Sequence, residues 1–92
     1  MFVYFTADWC LSCKVNEKIA IETDLTFAAF QMRGVKVLRG DWTRRDPEIT
    51  RFLASQGVAG VPLYLWYPNG GGDARQLPQV LGPNTLAELG GE

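Results

Sequence analysis

The chain has no histidine and only two cysteines among its 92 residues. Without imidazole, Cys-His and Ser-His nucleophilic catalysis are excluded. So is a zinc site built within one chain, which needs about four protein ligands, or three plus water. Charge of one sign is not in surplus: 9 basic and 10 acidic side chains leave a net charge of −1. With no basic excess to neutralise phosphates, nucleic acid is not an expected partner. No apolar run approaches the roughly 18 residues that span a bilayer. Met1 runs straight into Phe2-Val3-Tyr4-Phe5 with no basic segment before it, so no secretory leader is legible. A chain that opens on a core strand reads as one domain, residues 1–92, taken from something longer.

What is present is an ordinary globular mixture, 47% hydrophobic and 21% charged, which supports one core and argues against disorder. Val3-Tyr4-Phe5-Thr6 is rich in aromatic and β-branched residues and reads as a buried strand. From Cys10 the pattern turns helical, with Leu11, Val15 and Ile19 recurring every four residues as the expected apolar stripe. Thr23-Asp24 is a fresh N-cap, so the helix breaks and restarts there. The second piece, Leu25 to Met32, would bury Leu25, Ala28, Ala29 and Met32, and Gly34 would stop it. Val35 to Trp42 reads as a second strand. Asp46-Pro47-Glu48 opens another helix, with Ile49, Phe52 and Leu53 inward and Gly57 at its end. Pro62 to Tyr67 is a third strand. Asn69-Gly70-Gly71-Gly72 predicts a hairpin turn, with Leu77 to Leu81 as the return strand and Pro78 at an edge. Pro83-Asn84-Thr85 begins a last short helix ending at Gly90-Gly91. The order is β-α-(α)-β-α-β-β-α.

Cys10-Leu11-Ser12-Cys13 lies where the first strand hands over to the first helix. At a helix N-terminus, free N–H groups and the positive end of the dipole favour a thiolate on Cys10. Cys13 is one turn further on the same face, close enough to close a disulfide. One sulfur would be exposed and attack; the other would be shielded and resolve the mixed disulfide. Two other readings of the pair exist. A structural staple is weak, because a disulfide across so few residues removes little unfolded-state entropy. Half of a copper or zinc site shared with another chain suits soft thiolates. The strand-turn-helix context favours redox chemistry over both.

Ala7-Asp8-Trp9-Cys10-x-x-Cys13-Lys14 resembles the active-site signature of the thioredoxin superfamily. Gly60-Val61-Pro62, about fifty residues on, resembles its cis-proline loop. The resemblance implies an α/β thioredoxin-like fold, a central mixed β-sheet flanked by helices, with the N-terminal β-α elements truncated. Within the superfamily, ADWCLSCKVNEK most resembles the C-terminal domains of the DsbD family and related copper-tolerance proteins. That resemblance implies a protein-disulfide reductase domain without a cofactor, on the periplasmic side of the bacterial inner membrane. It would take electrons from a membrane-embedded domain of the same protein and pass them to a periplasmic thiol/disulfide domain. Other readings are a free-standing cytosolic thioredoxin-like reductase, the metal-binding module above, and a redox-dead interaction domain. The last is disfavoured by retention of both cysteines.

The resemblance also assigns supporting residues. Pro62 would pack against the disulfide through a cis bond, and Val61 would offer its backbone to a partner chain. Trp9 would be both core filler and apolar partner contact. Glu17, one turn beyond Cys13, would be a partly buried carboxylate that raises the thiol pKa values; otherwise it is a solvated helix residue. The family usually places a buried Asp six residues before the first Cys. Tyr4 stands there, and a phenol is far less acidic. Asp8 and Lys14 flank the site, Trp42 and Trp66 read as packing, and Arg44-Arg45 as a solvated turn.

Overall fold

A computed structural model describes residues 1–68 and 74–89. The strands are β1 (Phe2–Thr6), β2 (Val37–Asp41), β3 (Leu63–Trp66) and β4 (Arg75–Gln76). The helices are α1 (Leu11–Asn16), α2 (Asp24–Arg33), α3 (Pro47–Ser55) and α4 (Thr85–Leu89); α1 runs on as a π-helical segment, Glu17–Ile21. The sheet is mixed, in the order β2-β1-β3-β4. β1 pairs parallel with β2, Phe2 opposite Val37 and Thr6 opposite Asp41, and antiparallel with β3, Phe2 opposite Trp66. β3 pairs antiparallel with β4. The expected element order and mixed sheet are present.

Alternation along β1 divides the core. Phe2 and Tyr4 join Ala20, Phe30, Tyr64, Trp66, Leu77, Leu81 and Leu86 on one face. Phe5 joins Trp42, Leu53, Leu63 and Leu65 on the other. Trp42 and Trp66 are buried packing residues, as expected. The α3 start follows its sequence signals. Asp46 Oδ1 accepts from the N–H of Glu48 (2.8 Å) and Ile49 (3.3 Å), with Pro47 in the first turn. Gly34 caps α2 in the left-handed region, at φ 66°.

The rotation of the first two helices differs from expectation. Leu11, Val15 and Ile19 face outward, with Leu11 80% exposed, while Cys13, Asn16, Glu17 and Ala20 face the core. Cys13 sets this phase. Once its sulfur closes on Cys10, residues three, four and seven further on share its face. Burial of Asn16 is made tolerable by hydrogen bonding. Its Nδ2 donates to Tyr64 Oη (3.0 Å) and to the Gln79 carbonyl (2.7 Å), and its Oδ1 accepts from Leu81 N–H (3.2 Å).

In α2, Leu25, Ala28 and Met32 are exposed and Ala29 is half-buried; Thr26 and Phe30 are the inward residues. Thr23 Oγ1 accepts from Thr26 N–H (3.1 Å), and Thr26 Oγ1 donates to the Ala20 carbonyl (2.6 Å). That bond ties α2 to the π-helical segment in a rotation the apolar spacing does not reveal. The second strand is shorter than Val35–Trp42; it is the sheet edge, and its Val37 and Leu38, which alternate to opposite faces, are both exposed. The return strand is Arg75–Gln76 rather than Leu77–Leu81. Pro78 cannot donate to a ladder, and Leu77 and Leu81 are buried from a loop that Asn16 holds. The predicted turn 69–72 and the stop at Gly90-Gly91 lie outside the described residues.

Two tests follow from this packing. Asn16→Ala would strand the Tyr64 hydroxyl and the Leu81 N–H in buried contacts and the Gln79 carbonyl in a part-buried one, and should lower the unfolding free energy by about 2–4 kcal/mol in urea titration. Burial, then the Glu17 charge, raises the Tyr4 phenol above its ordinary 10.0. Burial likewise raises Tyr64, opposed by the Asn16 hydrogen bond and aided by Glu17. The unfolded chain therefore loses these protons first. Their contribution to stability is complete below about pH 10 and is lost as pH rises through the folded values. Urea midpoints between pH 8 and 11 should fall above pH 10, less steeply in Tyr4→Phe.

Candidate active site

β1 delivers the chain through the buried Ala7 to a short turn, and Cys10 becomes the N-cap of α1 in an extended conformation (φ −90°, ψ 101°). Cys10 Sγ accepts from Cys13 N–H at 3.3 Å. The backbone therefore directs a donor at this sulfur, the geometry that stabilises a thiolate once the bond is reduced. In the structure Cys10 and Cys13 form a disulfide with Cα atoms 5.3 Å apart. Cys10 keeps 7% of its surface exposed and Cys13 none. The expected asymmetry has the expected sign but is small, because Ala7 and Val61 pack against the pair. Ser12 Oγ lies 3.6 Å from Cys10 Sγ.

Gly60-Val61-Pro62 leads into β3. The Val61–Pro62 peptide is cis, Pro62 is buried, and Val61 is half-buried against the cysteine cluster. On the opposite flank Trp9 is 50% exposed and donates its Nε1–H to the Thr43 carbonyl (3.0 Å). Asp8 N–H donates to Thr43 Oγ1 (2.9 Å). Thr43 donates its hydroxyl and its backbone N–H to Asp41, and these two bonds hold the Asp41 carboxyl below the usual range. The segment after β2 is thus fastened to the turn before Cys10.

Glu17 is buried, at 5% exposure, and is the one buried carboxylate among the described residues. It opens the π-helical segment one turn beyond Cys13. Thr6 Oγ1 donates to its Oε2 at 2.6 Å, and Lys14 Nζ stands 3.6 Å from its Oε1 and 3.7 Å from Asp8. The solvated-helix alternative for Glu17 does not describe this placement. Tyr4 packs its ring with Phe2 and Tyr64 and lines a groove of about 490 Å³ between the π-helical segment, α2 and β2, while the Glu17 charge acts on its phenol.

Sequence reasoning missed four residues at this site. Thr6 was legible as strand but not as the partner of a carboxylate, although alternation puts it on the Tyr4 face. Asn16 lies off the Leu11-Val15-Ile19 stripe and carries no local sign of burial. Thr43 carried a local signal, the Asp41-Trp42-Thr43 spacing of an Asx turn. Arg45 is an exposed turn residue as expected, but its guanidinium also lies 4.8 Å from the Trp9 ring centre and 5.0 Å from that of Trp42, which the sequence did not signal.

A mixed sheet of this order, a Cys-x-x-Cys disulfide opening the helix after β1, and a cis-proline at the start of the antiparallel strand define a protein of the thioredoxin type. The chain belongs to the thioredoxin-like family, whose sequence model matches residues 1–68. It is 36% identical over 83 residues to the thiol:disulfide interchange protein DsbD 1 of Pseudomonas aeruginosa, an alignment covering 90% of this chain and 14% of that protein. It is 32% identical over 71 residues to DsbD of Pseudomonas fluorescens, covering 77% of this chain and 12% of that one. The chain thus spans about a seventh of the length of the curated relatives it matches. Its fold matches the reduced C-terminal domain of Neisseria meningitidis DsbD, with a TM-score of 0.77 at 23% identity over 99% of this chain and 77% of that chain. The oxidised form of the same domain gives 0.78 at 24% identity, over 97% of this chain and 75% of that one.

Glu17 places a carboxylate on the cysteine face of the helix, where a negative charge opposes a thiolate. Glu17→Gln should therefore shift the Cys10 thiolate titration of the reduced protein to lower pH. Thiolate absorbance against pH checks this, and superimposable curves would remove Glu17 from the site.

Proposed function

We propose that this chain is a thiol:disulfide exchange domain of a DsbD-type membrane protein, with Cys10 the attacking sulfur and Cys13 the resolving one. The single observation that carries the reading is the Cys10–Cys13 disulfide at the helix N-terminus against Val61. Cys10 is the more accessible sulfur and receives the Cys13 N–H. In the reduced domain the Cys10 thiolate attacks a partner disulfide, forming a mixed disulfide and releasing one partner thiolate. Cys13 then attacks Cys10 Sγ, releasing the second partner sulfur and closing the internal disulfide. Two electrons and two protons pass to the partner in each cycle. A dithiol donor restores the pair by the reverse steps.

Trp9 and the Val61 backbone flank the disulfide and form the docking surface for an extended partner segment. Pro62 is the buried residue behind that surface. Glu17 is the carboxylate that opposes the thiolate from the cysteine face of the helix, and Tyr4 contributes to packing. The donor is a membrane-embedded domain of the same protein and the acceptor a periplasmic thiol/disulfide domain, which places this domain on the periplasmic side of the inner membrane. The similarity to DsbD proteins supports this assignment. No helix among the described residues is long and apolar enough to cross a membrane, so in this reading the anchor lies in other parts of the larger protein.

Cys13→Ser should accumulate a mixed disulfide with a disulfide-bearing partner, and Cys10→Ser should not. Non-reducing electrophoresis followed by mass spectrometry of the adduct checks this. Trapping by Cys10→Ser alone would reverse the assignment.

A further inference from the structure

Arg45 is the one non-glycine residue with positive φ (52°) among the described residues. A Cβ in the left-handed region is disfavoured, and glycine would occupy this position without that penalty. The chain nevertheless carries arginine here, so what the side chain supplies deserves an account. Its backbone N–H donates to the Trp42 carbonyl (2.9 Å), closing the turn that leads into α3. The turn brings the guanidinium over two indoles at once, 4.8 Å from Trp9 and 5.0 Å from Trp42, whose ring centres are 5.8 Å apart. A planar cation over aromatic faces is attracted by their quadrupoles.

The two indoles adjoin two different segments of the site. Trp9 immediately precedes Cys10 and is half exposed. Trp42 is buried, anchored by Nε1–H donation to Thr50 Oγ1 (2.8 Å), and its ring lies under Gly60, where a Cβ would sit 3.5 Å from it. Gly60 leads into Val61 and Pro62. Thr43 holds one end of the Trp9 indole through its carbonyl. Arg45 covers the ring itself.

We propose that Arg45 is a positioning residue for thiol:disulfide exchange, its guanidinium clamping Trp9 onto Trp42 so that the Cys10 flank and the Val61–Pro62 flank present one preformed rim to a disulfide-bearing polypeptide. This rests on the exchange function proposed above. The clamp acts through Trp9 and does not touch the reacting sulfurs. It therefore governs recognition of a polypeptide rather than the intrinsic reactivity of the pair.

Arg45→Gly separates the side chain from the backbone, because glycine adopts φ 52° freely. Its thermal midpoint should equal or exceed that of the wild type, while KM for insulin disulfides rises roughly five-fold and kcat changes little. The near-UV circular dichroism of Arg45→Gly should differ from wild type, and the difference should be smaller when both carry Trp9→Phe, Trp42 keeping its own share. Arg45→Lys, which keeps a cation but loses the planar stack, should restore KM in part. An unchanged KM and an unchanged Trp9 signal in Arg45→Gly overturn the clamp. So does a KM rise that only tracks a fall in thermal midpoint. If the wild-type protein fails to reduce insulin, the exchange reading fails, and the Trp9 signal alone then decides whether Arg45 holds the indole.

Discussion

The rotation of α1 about its own axis governs much of this structure, and the Cys10–Cys13 pair sets it. Closing a disulfide between an N-cap and the residue one turn on requires Cys13 to face inward. Helical geometry then carries Asn16, Glu17 and Ala20 in with it and turns Leu11, Val15 and Ile19 out. A helix placed by apolar burial alone would take the opposite rotation. The cost of burying polar side chains is offset locally. Asn16 satisfies three groups on β3 and on the loop before α4, and Thr6 donates to Glu17. The functional pair and the packing of the C-terminal loop are therefore coupled through one helix.

Around the pair, the site is assembled from three separated stretches. The turn after β1 supplies Trp9 and Cys10, the turn after β2 supplies Thr43 and Arg45, and the entry to β3 supplies Val61 and Pro62. Parallel pairing of β1 with β2 ends both strands at the same edge, Thr6 opposite Asp41, which brings the first two turns together. Antiparallel pairing of β1 with β3 brings the start of β3 to that edge as well, with Phe5 opposite Leu63. The direction of each strand thus determines which turns can meet. The Trp42 N–H to Thr6 carbonyl bond (2.7 Å) extends the β1–β2 junction by one residue and sets the height of Trp42 beneath the site.

The outer side of β2 has a different character. It is a parallel edge strand whose Val37 and Leu38 are exposed, and beside it lies the groove lined by Tyr4, Phe27, Phe30 and Val35. Parallel strands are generally covered on both faces, and an open edge presents unpaired N–H and C=O groups. Gly40 in this strand is a close-approach residue: a Cβ there would meet the Phe5 ring, which occupies the space a side chain would take.

Sequence alone determined the elements with strong local signals. The Asp46-Pro47 helix start, the Gly34 cap and the strand character of β1 and β3 depend on neighbouring residues, and these are as read. The Cys-x-x-Cys and its place at a strand-to-helix junction were legible for the same reason, since the spacing and the helix dipole are local properties. Tertiary structure decided the rest. Apolar periodicity misjudged α1 and α2 because their rotation depends on a disulfide and on hydrogen bonds to other elements. The return strand was displaced to Arg75–Gln76 because Asn16, about sixty residues earlier, captures the loop that Leu77 and Leu81 anchor. Arg45 is exposed as read, but its place over Trp9 and Trp42 was not legible, because those indoles lie on two different turns, which meet only when β1 and β2 pair in parallel.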